Sequence, residues 1–197
     1  MVTAVSTSTA HPDHRSRAVQ LAARWVEDGR RVELQGIAEQ LGISRATLFR
    51  TAGARDELVG EALWHLTFGT LQAAARRGEA ERARGGLRSI AAARHMNALV
   101  SRSSALRRLL DDEPGLTIRV LTDPAGPVQP RVVVFVEDLL RRDMADGYRP
   151  VIDPGDLAYA LVRLGESFLY ADVLAARQPN VVIADRLQQA LIEATRT

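Results

Sequence analysis

The 197-residue sequence contains no cysteine and no lysine, since all 26 of its basic residues are arginine. Without cysteine the chain can form no disulfide, thiolate nucleophile or thiolate metal site. Without lysine it has no Walker-type phosphate loop, pyridoxal Schiff base or lysine nucleophile. Paired-histidine metal motifs and glycine-rich nucleotide loops do not occur either, so we expect no metal and no cofactor.

Long apolar runs are missing as well. The longest dense one, residues 132–136, is far shorter than the roughly 20 apolar residues that cross a bilayer. Residues 1–13 are rich in Ser, Thr and Ala and lack the basic start and apolar stretch of a signal peptide. The sequence therefore predicts a disordered N-terminal arm on a soluble, cytoplasmic protein with no membrane partner.

Charge is small overall but unevenly distributed. The net charge is +2, yet residues 61–110 hold 9 Arg and 3 acidic residues, whereas residues 111–197 hold 9 Arg and 14 acidic residues. A basic segment is typical of nucleic-acid binding, but solvated helix faces produce the same asymmetry. The charge pattern alone leaves both interpretations open.

Apolar residues recur at helical spacing along almost the whole chain, which predicts an all-α protein. Clusters of glycine at 78–86 and proline at 124–130 mark loops between helices. The predicted helices cover residues 14–28, 34–41, 45–50, 55–77, 87–101, 103–112, 115–122, 130–146, 154–177 and 180–195.

Residues 34–50 have the pattern of a helix-turn-helix. Ala38 is small where two helices that cross steeply must approach each other. Gly42 stands at the end of the first helix, where a left-handed backbone is needed. Ser44 is well placed to cap the second helix. An ordinary helical hairpin with a glycine turn is the alternative, but the joint fit of these positions favours a DNA-binding motif.

The second helix of this motif has a polar outer face. Arg45, Thr47 and Arg50 project beside Phe49 and supply donors for phosphates or base edges in a major groove. The partner they indicate is a double-stranded DNA operator. The predicted DNA contacts are Ser44, Arg45, Thr47, Phe49, Arg50, Thr51 and Arg55.

Residues 43–59 resemble the signature of the tetracycline-repressor (TetR) family: a recognition helix, a short turn and the charged start of a long fourth helix. The resemblance implies an all-helical homodimer, with an N-terminal three-helix DNA-binding domain and a variable C-terminal domain that binds a small molecule and releases DNA. It places the DNA-binding domain at 14–60 and the helical ligand-binding and dimerisation domain at 61–197.

Four positions depart from the usual family pattern. Phe49 stands where the family usually has a tyrosine whose hydroxyl holds a phosphate, and Phe49 can only pack. Residues 51–52 are Thr-Ala in place of an aromatic pair, and Arg55 replaces the usual lysine while keeping its charge. DNA binding is still expected, but not a phosphate contact from position 49.

Residues 51–67 and 168–175 resemble the QsdR-like branch of this family, which is associated with regulating the degradation of quorum-signal lactones. The resemblance implies a repressor released from its operator by a small hydrophobic or lactone-like effector. Trp64 and Phe68, one helical turn apart, either line its pocket or are simply core residues. The predicted ligand-binding residues are Trp64, Phe68, His95, Met96, Asn97 and Arg119.

Residues 154–177 carry two apolar stripes, and a helix that is apolar on two sides is buried on two sides. A partner subunit is the natural second surface, although burial within one chain is the alternative. The predicted dimer interface comprises Leu161, Leu164, Phe168, Leu187 and Leu191.

Two other function classes remain. An enzyme is disfavoured because Ser167 lies in residues 165–169, Gly-Glu-Ser-Phe-Leu, which lack the second glycine of a nucleophile elbow. A helical dimeric scaffold with a non-regulatory DNA module is the other. The sequence favours a ligand-responsive DNA-binding regulator over both.

Overall fold

A computed structural model describes residues 14–194, which form eleven helices and no strand. The predicted all-α fold class is confirmed, whereas the predicted arm at 1–13 lies outside the described residues. The helices are α1 His14–Glu27, α2 Leu34–Leu41, α3 Arg45–Ala52, α4 Arg55–Arg82, α5 Arg88–Ser101, α6 Ser104–Asp112, α7 Pro114–Thr122, α8 Gln129–Ala145, α9 Pro154–Leu169, α10 Ala171–Ala175 and α11 Val181–Glu193.

The first three helices pack together around a small apolar core. Helix α1 contacts α2, α3 and the first half of α4. Ala22 of α1, Ile37 of α2, Leu48 of α3 and Leu58 of α4 are all completely buried. The small residue Ala38, 1 % exposed, allows the close helix crossing that the sequence predicts.

Helix α4 connects this unit to the rest of the chain. It runs unbroken for 28 residues and continues to pack against α5, α7 and α8. One apolar core extends along it, from Ala18 near the start of α1 to Ile192 in α11. The domain boundary proposed at residue 60 therefore lies inside a continuous helix and a continuous core.

The C-terminal part is a helical bundle in which α9 packs against α8 and α11, and α5 packs against α4, α8 and α11. The buried Asp143 of α8 holds the start of α5. Its carboxylate accepts hydrogen bonds from the backbone N–H groups of Arg88 and Ser89 at 3.0 and 2.9 Å. This contact satisfies helix N–H groups that have no partner within α5.

The helix predicted at 154–177 is interrupted. Helix α9 ends at Leu169, and after the short α10 the chain turns at Ala176, where φ is +50°. The backbone N–H of Asn180 then donates to the carbonyl of Phe168 at 3.2 Å, which brings the chain back beside α9. Pro179 marks this turn, but no glycine or proline lies between Glu166 and Gln178, so local signals could not predict the break at Tyr170.

In the part of the chain that the structure describes, no helix combines the length and apolar composition that crossing a membrane requires.

Candidate DNA-reading surface and effector cavity

The turn between α2 and α3 has the geometry that the sequence predicts. Gly42 adopts a left-handed conformation with φ +68° and ψ +31°, and its N–H donates to the carbonyl of Glu39. The next residue, Ile43, donates its N–H to the carbonyl of Ala38 at 3.0 Å. These two bonds close the end of α2 and direct the chain into α3.

Ser44 caps helix α3. Its hydroxyl oxygen accepts the backbone N–H of Thr47 at 3.1 Å and lies 2.9 Å from the Thr47 hydroxyl. Leu48, one turn into the helix, is completely buried against α1 and α4. The cap and this buried side chain together fix which face of α3 points outward.

The outward face of α3 carries Arg45, Phe49, Arg50 and Thr51, all exposed. No acidic side chain of residues 14–194 pairs with either arginine, and Arg50 donates only a long 3.4 Å hydrogen bond to Thr47. Phe49 is 56 % exposed, so it does not pack into the protein. The face offers free guanidinium groups and one apolar ring, which are suited to guanine edges and thymine methyls in a major groove.

Arg55, predicted to contact DNA, is engaged inside the protein. Its Nε donates to the carbonyl of Val32 at 2.6 Å, and its terminal nitrogen donates to the carboxylate of Glu113 at the same distance. Val32 lies between α1 and α2, whereas Glu113 lies at the junction of α6 and α7. Arg55 therefore links the helix-turn-helix to the C-terminal bundle, and we remove it from the proposed DNA contacts.

Three further arginines make contacts between the same two parts of the chain. Arg108 of α6 donates to the carbonyl of Glu27 at 2.8 Å, at the end of α1. Arg119 of α7 forms an ion pair with Asp56 in the first turn of α4. Arg131 of α8 pairs with Glu61 of α4 at 3.2 Å. Side chains of α6, α7 and α8 thus attach α1 and the first turns of α4, the helices on either side of the helix-turn-helix in the sequence, to the bundle.

The Arg55–Glu113 pair gives a pH-dependent prediction. The hydrogen bond from Arg55 holds the pKa of Glu113 below its ordinary value of 4.5. A lowered pKa adds stability above the ordinary pKa, and that stability is lost as the pH falls through the lowered value. We expect Glu113→Gln to reduce the free energy of unfolding at pH 7 by about 1 kcal/mol.

Urea unfolding of both proteins between pH 7 and pH 3 measures this effect. The difference between wild type and Glu113→Gln should shrink below pH 4.5. A difference that stays constant across the range would show that the charge of Glu113 does not stabilise the fold.

A cavity of about 140 Å³ lies within the bundle. Helix α4 supplies Leu63, Leu66, Thr67 and Thr70, which follow each other at helical spacing on one face. Val26 of α1 reaches the same space, so the cavity touches a helix that packs directly on the recognition helix. The remaining wall comes from α5 to α9 and α11.

The polar part of the cavity wall is concentrated around α9. Glu166 is 8 % exposed, and Gln129 of α8 donates its amide to the carboxylate at 3.2 Å. Arg163 donates to the other carboxylate oxygen at 2.6 Å. Burial raises the pKa of Glu166, while the hydrogen bonds from Gln129 and Arg163 act in the opposite direction.

The structure places the six predicted ligand residues in different regions. Met96 and Asn97 of α5 line the cavity. Trp64 and Phe68 lie on another face of α4 with their ring centroids 5.8 Å apart and their planes tilted by 48°, and Arg131 lies over the Trp64 ring. Arg119 is an exposed partner of Asp56.

His95 lies in a separate, polar surface groove between α4, α5 and α11. Within residues 14–194, no three His, Asp or Glu side chains lie close enough together to hold a metal ion. We therefore remove His95, Arg119, Trp64 and Phe68 from the proposed effector site.

Sequence reasoning missed the polar residues Gln129, Glu166 and Gln188. Glu166 and Gln188 lie on the buried faces of α9 and α11, where a polar residue is a signal of function. Helical spacing could have identified Leu66, Thr67 and Thr70 as neighbours on one face of α4. The prediction instead chose the aromatic pair, which lies on another face.

The residues predicted for the dimer interface differ in how far they are exposed on the single chain. Leu161 is 2 % exposed inside the single chain, so it cannot reach a partner without rearrangement. Leu187 of α11 is 42 % exposed, and Leu164, Phe168 and Leu191 are half-buried. Tyr159 and Val182, which are not among the five predicted interface residues, are more exposed still, at 53 % and 59 %. An apolar outer face therefore exists on α9 and α11.

Comparisons with known proteins agree with this architecture. The family model for the tetracyclin repressor-like C-terminal domain matches residues 84–193. No curated protein gives a significant match to the sequence. Among solved structures, the chain is similar to the transcriptional repressor QsdR of R. erythropolis, from the TetR family. The TM-score is 0.81 and the identity 27 %, over 93 % of this chain and 96 % of that one.

The fold is also similar to that of the TetR-family repressor AlkX from Dietzia sp. strain DQ12-45-1b, implicated in the biodegradation of n-alkanes. The TM-score is 0.58 and the identity 20 %, over 89 % of this chain and 91 % of that one. The family match covers more than half of the chain, and the helix-turn-helix precedes it in the sequence. The chain therefore belongs to the TetR family of transcriptional regulators, which are not enzymes.

Proposed function

We propose that the chain is a homodimeric repressor that leaves its operator when a small, largely apolar molecule occupies the cavity. The observation that carries the proposal is the path of α4. This helix begins directly after the recognition helix α3, and its residues 63–70 form one wall of the cavity. A ligand that fits only one position of α4 shifts the population toward that position.

The DNA half of the proposal rests on the exposed face of α3. We propose that the two arginines donate hydrogen bonds to bases or phosphates. The full set of proposed contacts is Ser44, Arg45, Thr47, Phe49, Arg50 and Thr51. The dimer half rests on the apolar outer face of α9 and α11, where we propose that Leu164, Phe168, Leu187 and Leu191 meet a second copy. We keep 14–60 and 61–197 as functional units joined by α4.

A lactone-like effector is one member of the wider class of small, largely apolar molecules that we propose as effectors. QsdR, the similar structure from R. erythropolis, supports the class of transcriptional repressor. The cavity supports a compact apolar body and a polar head near Glu166.

The proposal is tested by selecting bound sequences from random duplex DNA with the full-length chain. We expect a two-fold symmetric site whose half-sites lie about 34–36 Å apart or at a multiple of that distance. The selected duplex then serves in a displacement assay with short acyl lactones and small hydrophobic acids. A selection that enriches no symmetric sequence would contradict DNA reading by a dimer, and a full screen without displacement would contradict ligand release.

A further inference from the structure

The side-chain amide of Asn97 has a fixed orientation in the cavity wall. Asn97 is completely buried, and its Nδ2 donates to the carboxylate of Asp185 and to Oε1 of Gln188, both at 2.7 Å. Gln188 is itself fixed, because its Nε2 donates to the carbonyl of Leu161 at 2.8 Å. Both partners of Nδ2 are acceptors, so rotating the Asn97 amide by half a turn would set oxygen against oxygen. Its Oδ1 must therefore point away from α11.

This oxygen has no hydrogen-bond partner within residues 14–194. Gly165 of α9, another cavity residue, lies beside it: a Cβ at that position would lie 3.0 Å from Gln188 Nε2 and 3.7 Å from Asn97 Oδ1. Because position 165 carries no Cβ, no side chain of this residue packs against the amides of Asn97 and Gln188. A buried acceptor without a donor costs free energy, which a ligand that supplies the donor would recover.

Glu166, one residue further along α9, adds a second acceptor to the same wall. Its carboxylate is paired with Arg163 at 2.6 Å, so its negative charge is already balanced. The wall therefore presents hydrogen-bond acceptors without an uncompensated charge. A neutral donor fits this arrangement better than an anion, which both oxygens would repel.

We propose that the effector is a compact, largely apolar molecule that donates a hydrogen bond, from an N–H or O–H group, to Oδ1 of Asn97. This inference rests on the proposed function, because it takes the cavity as the effector site. The cavity of about 140 Å³ is close in size to the engineered cavity of about 150 Å³ that admits benzene. A simple lactone ring offers only acceptors and would leave Asn97 Oδ1 unpaired, whereas the lactam of the same size would pair it.

The matched probes are δ-valerolactam and δ-valerolactone, which differ by a single N–H in place of the ring oxygen. Calorimetric titration of each, freshly dissolved, into the full-length chain gives two dissociation constants. We expect the lactam to bind at least about tenfold more tightly, because only the lactam satisfies the buried acceptor.

Two variants locate the source of the preference. Asn97→Leu removes the acceptor, and we expect the lactam-to-lactone ratio to fall close to one. The matched control, Leu66→Ala, trims an apolar part of the wall, so both probes should weaken while their ratio is kept. Circular dichroism establishes that each variant is folded, and the wild-type ratio alone tests the inference if Asn97→Leu does not fold.

The outcomes separate this inference from the proposed function. Equal affinities, or tighter binding of the lactone, would overturn the donor requirement and leave the cavity as an effector site. Tighter lactam binding that does not change the affinity for the selected operator would support the donor requirement and contradict ligand-controlled release. Failure of both probes to bind at millimolar concentration would overturn both.

Discussion

Replacing Arg45 or Arg50 by alanine is expected to weaken operator binding about 10- to 100-fold for each arginine that reads a base through two hydrogen bonds. Both side chains lie on the exposed face of α3, and no acidic group of the described residues competes for them. The helix itself is held by the Ser44 cap and the buried Leu48, so removing an exposed arginine should leave its position unchanged. Fluorescence anisotropy with the selected operator measures the effect.

The matched control is Arg141→Ala, which removes an exposed arginine from α8 and leaves α3 untouched. Its operator affinity should stay within about twofold of wild type, since distant exposed charges are screened. Salt titrations separate base from phosphate contacts, because losing a phosphate contact reduces the salt slope by about one. Unchanged affinity in both α3 variants would contradict the assignment of α3 as the recognition helix.

Leu187→Arg is expected to convert the dimer into monomers and to lower operator affinity by about 100-fold or more, because two half-sites can no longer be bound together. Leu187 is exposed in the single chain, so an arginine fits there without disturbing the chain's own core. In a dimer, the same arginine would be buried without a partner for its charge. Light scattering at micromolar concentration measures the mass directly.

Val134→Arg is the control for this experiment. Val134 is 65 % exposed on α8, outside the apolar face of α9 and α11, so the same charge there should leave the dimer intact. A Leu187→Arg protein that remains dimeric would place the subunit contact elsewhere. A wild-type protein that is monomeric at this concentration would contradict the dimer itself.

The sequence predicted the helix-turn-helix well because its signals are local. Gly42 and Ser44 are local signals for the end of one helix and the start of the next, and the structure has the left-handed turn and the N-cap at these residues. Helix α2 begins and ends where its apolar spacing indicated. Such features depend on a few neighbouring residues, so the sequence contains the information for them.

The cavity could not be predicted in the same way, because it is formed by side chains from helices that are distant in the sequence. Asn97 and Gln188 are 91 positions apart, yet they share a hydrogen bond in the cavity wall. Arg55 illustrates the same limit. From the sequence, a positive charge at the start of α4 indicates a DNA contact, but the structure pairs this charge with Glu113, 58 positions later. Periodicity identifies the faces of a helix but not their partners.

The contacts of Arg55 also indicate how the two parts of the chain are coupled. Arg55, Arg108 and Arg119 connect α1 and α4 to α6 and α7. These contacts attach the helix-turn-helix to the elements that line the cavity, since α6 and α7 contribute to its wall. We therefore expect a ligand that shifts α6 or α7 to shift α1 and α4 as well, and α1 packs on α3.

We propose that the effector and the operator prefer different states of one protein. The most direct test is to measure the affinity of the best-binding molecule from the screen with and without saturating operator DNA. Linkage requires each ligand to weaken the other by the same factor, and a coupling of about 1–3 kcal/mol corresponds to roughly 5- to 150-fold. We predict that the operator-bound protein binds the effector more weakly by a factor in this range. Equal affinities in the two titrations would contradict the account, because a molecule that binds both states equally cannot release DNA.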